Sequence, residues 1–409
     1  MTTTVVANAQ LLERAGLADL TVTDGVITQV APATGTRRTG TVVDAAGGLV
    51  CPSFVDAHFH PDKALTFPRL GPVGNTSMTE SMARGAAVKS EFTHDDVVRR
   101  AGLAIEAAVG NGVGAVRAQV DVDSSVGLTG LEALLEVRAA YSAQIDIQLV
   151  AFPQEGIVRD PGAVPLLRKA LELGADLIGG GPDNEGDPAA YRAHLDTVFG
   201  LATEFGVDVD IHADMSEVPS QRALELVAEQ TIARGLHGRV NAVHCCALAA
   251  YPQEHAAEVI ALVAEAGMQI CICPIGNLQL VGEGTTPRGR GASRPKELLA
   301  AGVNVAAGTD NLHDMWFRFG NLDPVETCLI TCLSAALRTD AEVHEGFAMV
   351  TTRAAQYLGL TKYGVQEGDY ADLVVFSHSN LNDVIRGLPG TRRTFKRGTL
   401  VATRTTTVT

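Results

Sequence analysis

Glu204-Phe205-Gly206-Val207-Asp208-Val209-Asp210-Ile211-His212 decides the fold: a helical run ends at glycine, a short β-rich run follows, and a histidine closes it. Glycine just past a helix end is the expected stop, because it accepts the left-handed conformation there. The unit recurs. Leu171-Glu172-Leu173-Gly174 precedes 175–179, Ala266-Gly267 precedes 268–273, and Ala301-Gly302 precedes 303–307. Helices alternating with buried strands imply a parallel sheet. Working outward gives eight candidate strands, near 50–58, 115–121, 145–152, 176–180, 207–213, 239–244, 269–273 and 303–308. The runs between them have helical periodicity. In 95–108, Val97, Val98, Ala101, Leu103, Ala104 and Ala107 form an apolar stripe, with Thr93 as N-cap. Eight such units predict an α/β fold of the TIM-type (β/α)8 barrel class, with its site at the C-terminal strand ends.

The chain ends read differently. Leu20-Thr21-Val22-Thr23-Asp24-Gly25-Val26-Ile27 is strand, turn, strand, and 373–376 and 394–401 (around Arg397-Gly398) are further strands. Residues 1–48 with 364–409 are expected to form a small β-sandwich domain, and 49–363 the catalytic barrel domain.

Bulk properties narrow the function. The chain has 409 residues, 46% of them apolar, enough for one large core and an accessory part. A formal net charge of -15 argues against a nucleic-acid partner. No apolar run is long enough to predict a membrane span. Met1-Thr2-Thr3-Thr4 carries no basic region before an apolar stretch, so a cytoplasmic protein is expected. The seven cysteines, an odd number, are read as reduced thiols. Cys271 and Cys273 can face a site from one strand, although small core residues are the more ordinary reading.

Four side chains at strand ends suggest a metal. His58 and His60 lie in Val55-Asp56-Ala57-His58-Phe59-His60, where strand alternation points both to one side. His212 and Asp310 end the fifth and eighth candidate strands. Histidine and carboxylate are the usual ligands of zinc and related divalent ions. An Asp after a buried strand needs a partner to offset its desolvation, and a cation supplies one. Asp310 is also a candidate to take a proton from an attacking water. His244 ends the sixth strand and is a candidate to polarise that water or orient a substrate oxygen. Lys63, in Pro61-Asp62-Lys63, can hydrogen-bond a substrate carbonyl. Hydrogen-bonded core histidines and a solvated loop lysine are the ordinary alternatives.

The metal pattern resembles the amidohydrolase superfamily in its mononuclear form, over nearly the whole chain. Within it the chain resembles the cytosine deaminases at Val150-Ala151-Phe152-Pro153-Gln154-Glu155-Gly156, Leu173-Gly174-Ala175-Asp176 and Gly238-Arg239-Val240 leading to His244. It also resembles the N-isopropylammelide isopropylaminohydrolases at Asp56-Ala57-His58 with Asp62-Lys63, and at Asp310-Asn311 with Asp314, Trp316 and Phe319-Gly320-Asn321. The resemblance implies one divalent ion, zinc or iron, held by His58, His60, His212 and Asp310. A second ion often uses a strand-four lysine, and 176–180 has none. It also implies attack of an activated water on a ring carbon that carries an amino group. Gln154 and Asn311 would then contact the ring, and Trp316, the only tryptophan, would wall its pocket.

Departures accompany the resemblance. Met215 stands where cytosine deaminases carry a proton-shuttling Glu, and methionine cannot transfer a proton. Asn311 replaces an Asp, and Gln119 replaces a His common to both relatives. Asp214, two residues past His212, is expected on the same strand face, where with His244 and Lys63 it would manage protons. The loop after strand seven, Asn277-Leu278-Gln279-Leu280 and then Arg288-Gly289-Arg290, is of the deaminase type. The expected function is hydrolysis of an exocyclic C–N bond on a small heterocyclic substrate such as a pyrimidine or triazine. Two alternatives stay open: ring opening of a cyclic amide or imide, and a non-catalytic binding protein on the same scaffold. A homo-oligomer is a common default.

Overall fold

The computed structural model describes residues 2–33, 35, 40–71, 78–282 and 289–407. Eight parallel strands follow in sequence order: Phe54–Phe59, Val113–Asp121, Asp146–Phe152, Leu177–Gly180, Asp208–Ala213, Val240–His244, Gln269–Ile272 and Val305–Ala307. Each pairs only with its neighbours, as a barrel requires. A bridge between Phe59 and Asp310 joins the last strand's end to the first. The architecture is therefore the expected (β/α)8 barrel.

The local signals act as their chemistry dictates. Helix His94–Gly110 begins at Thr93, whose hydroxyl accepts from the Asp96 amide, and buries Val97, Ala101, Ala104 and Ile105. Helices Ala163–Leu173 and Tyr191–Phe205 stop at Gly174 (φ 108°) and Gly206 (φ 71°), both left-handed. Strand residues are buried on both faces, because helices cover the outside and side chains fill the barrel. Deep in the barrel Arg117 Nη1 lies 2.9 Å from Asp210 Oδ2, and the Tyr357 hydroxyl donates to Asp210 Oδ1 at 3.2 Å. That pairing is what makes a buried guanidinium tolerable.

Strands from both chain ends form a second sheet. Leu49–Pro52 pairs with Leu373–Phe376 on one edge and with Thr3–Leu11 on the other. Thr391–Lys396, Thr399–Thr405, Leu17–Thr23, Val26–Pro32 and Thr41–Asp44 complete eight strands. This sheet has its own apolar cluster, including Leu20, Ile27, Leu373 and Phe395. Lys396 Nζ fastens it to the barrel through Asp146 (2.6 Å) and the Gly114 carbonyl (3.1 Å).

One strand differs from expectation. The run at 50–58 is two strands, Leu49–Pro52 in the end sheet and Phe54–Phe59 in the barrel. Ser53 lies between them, its amide donating to the Asp372 carbonyl. Both parts are buried, so the burial pattern carries no mark of the change of sheet. Among the described residues no helix is long and apolar enough to cross a membrane.

Candidate metal centre

Three imidazoles and a carboxylate converge at the C-terminal mouth of the barrel. His212 Nε2 lies 3.4 Å from His60 Nε2, and Asp310 Oδ1 lies 3.5 Å from His58 Nε2 and 3.6 Å from His60 Nε2. His58, His60 and His212 each offer a ligand atom within 4.8 Å of the others. Two ligands each 2.0–2.1 Å from a tetrahedral ion stand roughly 3.3 Å apart. The three observed spacings match the separation of neighbouring ligands on one divalent ion. Nε2 of His58, the nitrogen that faces Asp310, is buried without a hydrogen-bond partner. Buried nitrogens in that state are costly unless a ligand completes them.

The electrostatics suit the same ion. Burial, with the charge of Lys63 and the neighbouring imidazoles, pushes His60 well below the usual histidine range. Burial and the charges of His58, His244 and Lys63 do the same to His212. These rings therefore present lone pairs. Burial works to raise Asp310, but the close approach of His58 Nε2 and the charges of His244 and Lys63 outweigh it and hold its carboxyl below the ordinary value. A neutral-imidazole and carboxylate donor set suits zinc and iron alike.

Barrel closure builds the cluster. Asp310 follows the short eighth strand in a left-handed conformation (φ 71°), which turns its side chain toward the two histidines of the first strand. Asp56 holds the junction, its Oδ1 accepting from the Thr309 amide at 3.0 Å and its Oδ2 from the Thr309 hydroxyl at 2.5 Å. Phe152 stacks on His212 with ring centroids 4.1 Å apart.

Beside the cluster lies a cavity of about 300 Å³. His60, Lys63, Gln154, His212, His244, Asp310, Asn311 and Trp316 all line it, so the expected site residues are brought together with two exceptions. His58 is fully buried and does not line the cavity.

Asp214 is the second exception and corrects the expectation. Its carboxylate accepts from the amides of Ala223 (2.7 Å) and Leu224 (3.2 Å), and from the Tyr251 hydroxyl (3.1 Å). It caps a helix start and does not line the cavity. Strand alternation fails because the strand ends at Ala213 and Asp214 is left-handed, with φ 52°. Burial and the charge of Asp183 push its carboxyl up to about 7.

Lys63 is no solvated lysine. It is fully buried, 2.8 Å from Asp121 Oδ1 and 2.8 Å from Gln154 Oε1. Lys89 sits on the other carboxylate oxygen of Asp121 at 2.9 Å and reaches Asp123 and Glu155. Burial opposes ionisation of Asp121, but the two lysines prevail and lower it. Because Lys63 holds Oε1, the Gln154 amide turns its NH2 to the cavity. Asn311 donates Nδ2 to Asp314 Oδ2 at 2.8 Å, which leaves its oxygen as an acceptor. Asp314 Oδ1 also takes the amides of Trp316 (2.9 Å) and Phe317 (3.0 Å) and so fixes the indole's loop.

Sequence reading missed Asp183, Arg159, Asn184, Gln221 and Leu280, which line the outer cavity. They lie in segments that follow four different strands, and no spacing links them. Cys271 and Cys273 are buried, and the Cys273 sulfur lies within 4.8 Å of nitrogens of His58 and His244. Burial pushes its thiol well above the usual range, so it sits there protonated. Arg288 of the loop after strand seven lies outside the described residues.

Residues 41–402 match the amidohydrolase family. N-isopropylammelide isopropyl amidohydrolase of Pseudomonas sp. (strain ADP) is 34% identical over 384 residues, covering 91% of this chain and 90% of that protein. Pterin deaminase of Rhizobium rhizogenes (strain K84 / ATCC BAA-868) is 31% identical over 388 residues, covering 94% and 87%. The crystal structure of 5-methylcytosine deaminase from Klebsiella pneumoniae, liganded with 5-fluorocytosine, is similar with a TM-score of 0.91 at 30% identity, covering 100% of this chain and 99% of that one.

Proposed function

Because the chain belongs to the amidohydrolase family and is a hydrolase of non-peptide C–N bonds, we propose that it hydrolyses an exocyclic C–N bond of a small nitrogen heterocycle, releasing ammonia or an alkylamine. The observation that carries this reading is the convergence of His58, His60, His212 and Asp310, in which the His60–His212, His58–Asp310 and His60–Asp310 pairs stand 3.4–3.6 Å apart, beside a cavity lined by Lys63, Gln154 and Trp316. The similar proteins support it, since their names describe deamination or dealkylating hydrolysis of nitrogen rings.

In this reading the four side chains hold one divalent ion, zinc or iron, which when bound supplies Lewis acidity and an activated water. The remaining steps fall to the chain. Trp316 and Phe152 flank a planar ring. The Gln154 NH2 donates to a ring nitrogen or carbonyl acceptor, and the Asn311 oxygen accepts from a ring N–H. Lys63, fixed by Asp121, donates to an oxygen or nitrogen on the ring as electron density grows there during attack. His244 Nε2, buried without a partner, takes a proton from the attacking water. As the C–N bond breaks, that proton passes to the departing nitrogen, which leaves as ammonia or amine. Met215 plays no part in proton transfer.

Mass analysis of products on metal-loaded protein tests the reading, with cytosine, isocytosine, creatinine and N-alkylated triazines and pyrimidines as the panel and a chelated control for each. The expected result is metal-dependent release of ammonia or an alkylamine with the ring intact. A product that keeps every ring atom and the amine while gaining one water contradicts it.

A further inference from the structure

His244 stands in a conformation that needs support from elsewhere. Its φ is 68°, and the next residue, Cys245, is also left-handed at 52°. Such backbone costs free energy in a non-glycine residue and persists only when the surroundings impose it. The segment after the seventh strand supplies the imposition. The Ser293 hydroxyl donates to the His244 carbonyl. Asn277, on helix Pro274–Leu280 and almost fully buried, lies with Oδ1 3.0 Å from His244 Nδ1.

The orientation of the Asn277 amide is not free. Its Nδ2 donates to the Gly291 carbonyl at 3.2 Å, and a carbonyl can only accept. Oδ1 must therefore face the imidazole, and Oδ1 can only accept. The hydrogen between them belongs to His244 Nδ1, which leaves Nε2 of the neutral ring as the lone pair. Gly291 is itself anchored, its amide donating to Glu217 Oε1 at 2.9 Å. Its φ is +65°, and a Cβ there would fall 2.8 Å from the Asn277 Cβ, so no other residue brings the carbonyl this close. The line of contact runs Glu217, Gly291, Asn277, His244. Its far end is Nε2, buried and without a partner.

We infer that Asn277 is a positioning residue that fixes the tautomer of His244, keeping hydrogen on Nδ1 and the lone pair of Nε2 turned to the metal centre. What that lone pair does rests on the hydrolase reading above; the tautomer itself does not. A long-range proton–nitrogen correlation spectrum of the full-length, zinc-loaded chain with isotope-labelled histidine reads it directly, with His244→Gln used to assign the signal. The expected wild-type pattern has hydrogen on Nδ1 alone. Asn277→Ala is expected to lose that single pattern and give a mixture, whereas Asn277→Asp, which keeps an acceptor, retains hydrogen on Nδ1. Hydrogen on Nε2 alone in the wild type, which needs no variant, would overturn the inference, and so would an unchanged pattern in Asn277→Ala. Neither result depends on which substrate is turned over, so the inference and the functional reading fail separately.

Discussion

The backbone amide of Asp310 donates to the carbonyl of His58 at 2.8 Å, and the Asp310 carbonyl accepts the amide of His60 at 2.9 Å. The seam that closes the barrel is therefore made by three of the four candidate ligands. Closure of the fold and assembly of the centre are one event.

Gly308 packs directly against that seam. A Cβ there would fall 2.7 Å from the Cβ of His58 and 2.8 Å from its backbone nitrogen and oxygen. Gly308→Ala must push the first strand away. We expect a loss of about 1–3 kcal/mol in stability, as for overpacking, together with weaker metal retention. Thermal melts and metal content measured on the same preparation check both.

Asp214 separates two roles. Because it caps the helix that starts at Ala223, Asp214→Ala is expected to cost about 1–2 kcal/mol. Turnover per folded molecule should stay within a few-fold of wild type. A loss of turnover on the order of a hundred-fold, the size expected for removing a general acid or base, would restore the proton-shuttle role that strand alternation suggested.

Lys63→Met removes a donor from the cavity. We expect turnover to fall by about a hundred-fold or more, the scale of losing one preorganised donor. Stability should suffer less than usual for a broken buried pair, because Lys89 still faces the same carboxylate at 2.9 Å. Steady-state rates set against denaturant midpoints distinguish the two effects.

Glu185 gives a pH prediction. Burial works to raise its carboxyl, but His194 and the amides of Ile157, Val158 and Arg159 outweigh it and hold it at about 2 instead of the ordinary 4.5. A depressed folded value stabilises the fold fully above about pH 4.5 and loses that contribution as pH falls toward 2. The contribution is of order 3 kcal/mol. Glu185→Gln should therefore melt lower than wild type at neutral pH, and the gap should close between pH 4.5 and pH 2. Paired melts across that window check it.

Much of this was legible in the sequence because its signals are local. Glycine stops such as Gly174 and Gly206, and histidines at strand ends, need only neighbours within a turn or a strand. What escaped depends on distant partners. Asp214 looked like a site residue until its φ of 52° turned it to the helix at Ala223. Lys63 and Gln154, 91 positions apart in sequence, meet at 2.8 Å, and no pattern in either segment announces the contact. The Asn277 contact with His244 is of the same kind. The break at Ser53 was invisible because both sheets bury their strands.

The most direct test strips the protein with a chelator and restores it stepwise with zinc or ferrous ion, following bound metal and product release together. The account predicts no turnover without metal, recovery in proportion to bound ion, and saturation at one ion per chain. Full turnover in the stripped protein, or activity that appears only as a second ion binds, would contradict it.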